Sequence, residues 1–243
     1  MKRAYALFLT IIAFSSLFCC RGTAQVKANK TYIDSGILKA RLGDYNAALK
    51  DLNKAVAADS GSAEAWYNRG VLKYEMKDYL GAIKDYDRVV ELRQSYSEPF
   101  FNRALAKDAI RDYDGAIRDY SKAIGLKADN PEAFYNKALD LMQLENFKEA
   151  MMNFTRALQY KPVFPEATYN RGLCSFRLKD YKAAVEDFNN AIRLDSLQAD
   201  YYASRGAAFA SLKQLNDACR DWGKAGAMGN EQSRAYLEKY CKK

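Results

Sequence analysis

The chain repeats itself every 34 residues, six times from Asn29 to Gln232, with no residue gained or lost between copies. Within each copy apolar residues fall on two separate faces of 3.6-residue period, which predicts two short helices. In the copy spanning 63–96 the first helix carries Trp66, Tyr67, Gly70, Val71 and Tyr74. The second carries Tyr79, Ala82, Ile83, Tyr86, Val89 and Val90. Lys77-Asp78 turns the chain between them, and the Asp78 carboxylate is placed to accept from the free backbone N–H groups of the second helix. A pair this small cannot bury its apolar faces alone, so each copy must stack on its neighbours. The copies are 29–62, 63–96, 97–130, 131–164, 165–198 and 199–232.

A small residue recurs in the first helix at Gly36, Gly70, Ala104, Ala138, Gly172 and Gly206, twelve places before an alanine at 48, 82, 116, 150, 184 and 218. The second helix then sets a large residue, Leu52, Tyr86, Tyr120, Phe154, Phe188 or Trp222, three places before Ala55, Val89, Ala123, Ala157, Ala191 or Ala225. This alternation of aromatic, small and alanine positions resembles the tetratricopeptide repeat. The resemblance implies an all-α fold, a right-handed α-solenoid of six tandem 34-residue helix-turn-helix repeats. A capping helix over 233–243 closes it, with Tyr236, Leu237 and Tyr240 covering the last repeat.

Residues 1–24 stand outside the register. Lys2-Arg3, an apolar run from Ala4 to Cys20, and small Gly22 and Ala24 before Gln25 have the layout of a signal peptide. Two other readings stay open: lipidation at Cys20, since Leu17-Phe18-Cys19-Cys20 resembles a bacterial lipobox, and an uncleaved membrane anchor. All three export the chain, to the periplasm or cell envelope, or to the outer membrane as a lipoprotein. The close of the chain, Cys219-Arg220-Asp221-Trp222 to Tyr240-Cys241, also resembles exported tetratricopeptide proteins of Gram-negative bacteria.

Loss of Lys2, Arg3 and Arg21 with a leader lowers the formal charge from +8 to +5. No basic stripe or Gly-rich phosphate loop concentrates it, which argues against nucleic acid as a partner. The chain has no histidine, its cysteines lack metal-ligand spacing, and no serine has a base nearby in the sequence. Neither a catalytic residue nor a metal or other cofactor is expected.

Binding is the reading that remains, with a protein or peptide as partner and a membrane only if Cys20 is lipidated. In proteins resembling this one, first helices line a concave face. The matching positions form an aromatic stripe of Tyr67, Phe101, Tyr135 and Tyr169 beside a row of Asn68, Asn102, Asn136 and Asn170. An amide both donates and accepts, so such a row can hold the backbone of an extended peptide. It is similar to the asparagine ladder of O-linked N-acetylglucosamine transferase. The same residues also suit packing between repeats. The carboxylate clamp of chaperone-binding tetratricopeptide domains is not expected, because its Lys and Asn places hold Tyr67 and Val71, or Phe101 and Leu105. Glu64, Glu98, Glu132, Glu166 and Asp200 tilt the face towards a basic partner, although acids in a first helical turn also complement the macrodipole.

Two further pairings are expected. Arg69, Arg103, Arg171 and Arg205 stand sixteen residues before Asp85, Asp119, Asp187 and Asp221, and where Lys137 replaces the arginine Asn153 replaces the aspartate, so an ion pair is expected between these positions, within each repeat or with its neighbour. As exposed pairs these would contribute about 0–1 kcal/mol each and serve register more than stability. Cys219 and Cys241 lie equally far from the turn at Asn230, level across two antiparallel helices, and are expected to form a disulfide. Cys174 is left single and buried.

Overall fold

The computed structural model describes residues 23–241, so the expected leader and Cys20 lie outside the described residues. Among these the chain is all-helical and divides into two compact units, one ending at Ala128 and one beginning at Asp129. The first holds three helix pairs: α1 (Thr23–Arg41) with α2 (Tyr45–Ala58), α3 (Ala63–Glu75) with α4 (Tyr79–Leu92), and α5 (Ser97–Ala109) with α6 (Tyr113–Leu126). The second holds α7 (Pro131–Gln143) with α8 (Phe147–Tyr160), α9 (Pro165–Arg177) with α10 (Tyr181–Leu194), and α11 (Ala199–Ser211) with α12 (Leu215–Ala227). It ends in a single helix, α13 (Glu231–Tyr240). The fold class is thus that of tandem helix-turn-helix repeats of the solenoid type with a C-terminal helix packed on the last. Helix α1 begins at Thr23, ahead of the repeat frame, and α13 begins two residues before Ser233.

The turns follow from their residues. Asp44, Asp78, Asp112 and Asp180 each accept from the backbone N–H three residues on, at Ala47, Gly81, Gly115 and Ala183. Just before the second helix's N-cap residue the chain takes a positive φ in every repeat, at Gly43 in the first but at Lys77, Arg111, Glu145, Lys179 and Lys213 in the others. This left-handed residue ends the first helix and reverses the chain.

Packing within a repeat is knob into gap. Tyr86, Tyr120, Phe154 and Phe188 are wholly buried, and each sits sixteen residues after the small residue of its own repeat. At Gly172 an added Cβ would come within 2.8 Å of the Phe188 ring, and at Gly206 within 2.7 Å of the Trp222 indole, so the glycines are needed for that approach.

The charged pairs correct the sequence reading in one respect: they are not exposed. Arg69 grips Asp85 with Nε and Nη2 at 2.8 and 2.7 Å, and the Asp85 side chain is only 2% exposed. Arg103 with Asp119, Arg171 with Asp187 and Arg205 with Asp221 repeat the two-pronged contact. The free Nη1 then reaches back to the preceding repeat, from Arg69 to Asn53 at 2.9 Å, Arg103 to Asp87 at 2.7 Å and Arg205 to Asn189 at 2.6 Å. Both alternatives are therefore realised by one guanidinium, whose planar fork serves two repeats at once. In the first unit a lysine joins each aspartate: Lys39 at Asp51, Lys73 at Asp85 and Lys107 at Asp119. Lys39 is the main reason that the Asp51 carboxyl is held below its usual range. The second unit has Leu141, Ser175 and Phe209 in those places. Lys137 turns to Glu149 instead, and Asn153 bonds to the Glu149 carbonyl of its own helix.

Helix α13 is held by Trp222, whose ring centroid lies 5.0 Å from that of Tyr236 and 6.1 Å from that of Tyr240, and by Arg234 Nε donating to the Gly226 carbonyl at 2.9 Å. The structure joins Cys219 on α12 to Cys241 at the end of α13, with Cα atoms 5.8 Å apart. Cys174 is buried and single, and burial pushes its thiol up to about 12, which leaves it unreactive. Replacing Cys219 with serine is expected to cost the α13 end about 3 kcal/mol of closure entropy in the chain-entropy model. Hydrogen exchange on the α13 amides checks this; protection equal to wild type would mean that the Trp222 contacts alone hold the helix.

Candidate peptide-binding face

Residues of a first helix that are three, four and seven places apart share one face. In the first unit this face carries Glu64, Tyr67, Asn68 and Val71 of α3, and Glu98, Phe101, Asn102 and Leu105 of α5. Tyr67 is buried against Tyr86, with ring centroids 6.0 Å apart, and its hydroxyl accepts from Asn102 Nδ2 at 2.8 Å. Burial pushes its phenol up to about 12. Asn68 turns back to the Glu64 carbonyl at 2.8 Å, and half-buried Phe101 meets Tyr120 edge-on at 5.7 Å between centroids.

The second unit repeats the arrangement. Tyr135 is buried between Phe154 and Phe164, with centroids 5.7 and 4.7 Å away, and its hydroxyl accepts from Asn170 Nδ2 at 3.2 Å. Asn136 and Asn170 are both buried. Tyr169 is half-buried on Phe188 and Tyr201, and its hydroxyl shares a hydrogen bond with that of Ser204 at 2.9 Å. Burial raises the Tyr169 phenol as well.

Aromatic ring and amide thus work as an inter-repeat joint. The tyrosine of one repeat accepts from the asparagine of the next, 35 residues on. Of the eight residues picked from the sequence, Asn68, Phe101, Asn102 and Tyr169 keep surface, while Tyr67, Tyr135, Asn136 and Asn170 lie buried beneath it. Sequence reasoning missed this joint, although the spacing of one residue more than the period marks it. It also missed the lysines of the first unit that share the repeat aspartates.

An apolar strip stays part-open on α9, where Tyr169, Leu173 and Phe176 are all half-buried and rest on Phe188, Ala184 and Ala208. Neighbouring α11 shows only Ala203, Ala207 and Ala210 in the corresponding places. Among the described residues no group of His, Cys, Asp and Glu is arranged to hold a metal ion, and no helix is long and apolar enough to cross a membrane.

A family model described as tetratricopeptide repeat matches residues 33–97, 101–151 and 135–198, more than half of the chain. Solved structures share the fold. YrrB, described as a tetratricopeptide repeat protein with an unusual peptide-binding site, is 21% identical with a TM-score of 0.70, over 77% of this chain and 97% of its own. MamA is 23% identical with a TM-score of 0.68, over 72% of this chain and 96% of its own. The pilF protein of Pseudomonas aeruginosa is 15% identical with a TM-score of 0.70, over 89% and 99%. No curated protein is similar enough in sequence to count as a match. With the repeat register, the paired helices and the family model in agreement, the chain belongs to the tetratricopeptide repeat family.

Proposed function

We propose that the chain is an exported, non-enzymatic scaffold that holds a protein or peptide partner against the concave face lined by its first helices. The observation that carries this is the strip of Tyr169, Leu173 and Phe176, core-type side chains that the described residues leave half open along one helix. Asn68, Phe101 and Asn102 are the corresponding contact residues of the first unit, and buried Tyr67, Tyr135, Asn136 and Asn170 hold the face in shape. The absence of histidine agrees with a role in binding instead of catalysis. The peptide-binding site in the description of YrrB is consistent with it.

Export rests on the leader layout of residues 1–24 and is supported by the juxtaposed Cys219 and Cys241, a pairing that suits an oxidising compartment. The periplasm or cell envelope is the proposed location. Intact mass distinguishes a soluble chain beginning at Gln25 from the alternative, an accessory subunit of an envelope assembly machine anchored by acylated Cys20. A photocrosslinking amino acid placed at Phe176, and separately at exposed Met152 on α8, tests the binding face in the native cell. Adducts from position 176 and none from 152 are expected. Adducts from both alike, or from neither, would overturn the reading.

A further inference from the structure

Resting on that reading, we propose that the first-helix face of the second unit takes an amphipathic partner helix laid antiparallel to α9, acidic at its N-terminal end and basic at its C-terminal end. Glu166, Tyr169, Leu173 and Arg177 are spaced by three, four and four residues, so they form one stripe along α9, with Phe176 at its margin. Eleven residues separate Glu166 from Arg177, about 16 Å at 1.5 Å per residue. Both charged ends are exposed and the apolar middle is half-buried. The stripe is therefore an apolar strip with an acid at one end and a base at the other.

Helix α11 lies directly beside it, tied by the Tyr169–Ser204 hydrogen bond and by the Tyr169 and Tyr201 rings at 4.6 Å. It adds a second acid at the same end, exposed Asp200, whose Oδ1 accepts from Asn230 at 3.1 Å. Its half-buried alanines leave room for an approaching backbone, and exposed Lys213 follows at the far end. The Arg177 guanidinium sits over the Phe147 ring at 5.4 Å, which holds the cation at its end of the strip. The stripes of α3 and α5 end instead in Glu75 and Ala109, so this polarity belongs to the second unit.

A helix is the occupant that these features fit. The strip is as long as a three-turn helix and runs parallel to the α9 axis, whereas an extended peptide of that span would offer only about five residues. Orientation follows from the charges. Lysine or arginine at the end of the partner meets Glu166 and Asp200, and aspartate or glutamate at its start meets Arg177 and Lys213. Those placements also suit the partner's own dipole, and antiparallel dipoles attract. The reverse orientation would need cations at the partner's N-terminus, against its dipole.

Two stapled helical peptides of about 12 residues, identical in composition and apolar face, test this. One carries glutamates at its start and lysines at its end; the other has them exchanged. Fluorescence anisotropy with the full chain at low salt is expected to show the first binding about tenfold tighter than the second. Glu166→Lys with Asp200→Lys is expected to erase that preference, and Leu173→Asp to abolish binding of both, with the circular dichroism of each variant like that of wild type. Equal affinities, no binding of either peptide, or a preference that survives the double substitution would overturn the proposal. The general scaffold reading is judged separately, since crosslinking at Phe176 in the cell does not depend on the polarity of the ligand.

Discussion

Tyr86→Ala is expected to lower the stability of the first unit by about 3–5 kcal/mol, whereas Tyr86→Phe leaves it unchanged or raises it by about 1 kcal/mol. The ring is wholly buried, packs on Tyr67 and lies against Gly70 so closely that a Cβ there would meet its Cε1 at 2.9 Å. Truncation opens a cavity between two helices with no side chain long enough to fill it, so both transfer energy and packing contacts are lost. The hydroxyl is another matter. Its oxygen is buried and makes no hydrogen bond among the described residues, so it carries a desolvation cost without a return. The chain contains its own precedent, since Phe154 and Phe188 fill the same slot in the fourth and fifth repeats without a hydroxyl. Urea denaturation followed by circular dichroism and by Trp66, which packs against the same cluster, measures both variants. A Phe variant as unstable as the Ala variant would show that the hydroxyl, and not the ring, holds this position.

The fold was legible in the sequence because an unbroken period fixes everything that repeats. Helix lengths, most of the aspartate caps, the buried alanines and the glycine or alanine facing each large ring all follow from register. The closeness of Cys219 and Cys241 follows from register in the same way, as two cysteines equidistant from a turn come level on antiparallel helices. The site was read less well. Tyr67 and Tyr135 have the same helical phase as half-exposed Phe101 and Tyr169, and phase alone cannot tell a ring that lines a surface from one that seals a joint. What separates them is the neighbouring repeat: a tyrosine hydroxyl accepts from an amide 35 residues later, which seals Tyr67 and Tyr135 into the joint and, at Tyr135–Asn170, takes both side chains from solvent. The charged pairs were misjudged for the same reason. A carboxylate sixteen residues from an arginine reads as surface pairing until the packing of the next helix closes over it. Polarity along α9 was visible residue by residue, but only the open apolar strip between its ends gives it a use.

The ion pairs supply the second large effect. Asp85→Ala is expected to destabilise the first unit by about 3–5 kcal/mol, because it leaves Arg69 and Lys73, 14% and 18% exposed, facing each other with no carboxylate between them. Added salt is not expected to restore the loss, since ions screen buried charges poorly. Repeat four shows how the same place is filled without an ion pair of this kind, with Lys137, Leu141 and Asn153 at the corresponding positions. Transplanting that set as Arg69→Lys, Lys73→Leu and Asp85→Asn removes the carboxylate and one of the two cations that need it, and replaces the guanidinium fork by a flexible lysine that can reach solvent. The triple variant is therefore expected to lose clearly less stability than the single one, despite two more substitutions. It also gives up the Arg69 contact to Asn53 of the preceding repeat, which a lysine cannot make while serving its own repeat. Some loss of cooperativity between the first and second repeats should remain, seen as earlier unfolding of the α1–α2 pair by hydrogen exchange. Urea midpoints of the two variants decide the matter. A triple variant no more stable than Asp85→Ala would show that the two-pronged geometry of Arg69, and not charge compensation, is what the repeat requires.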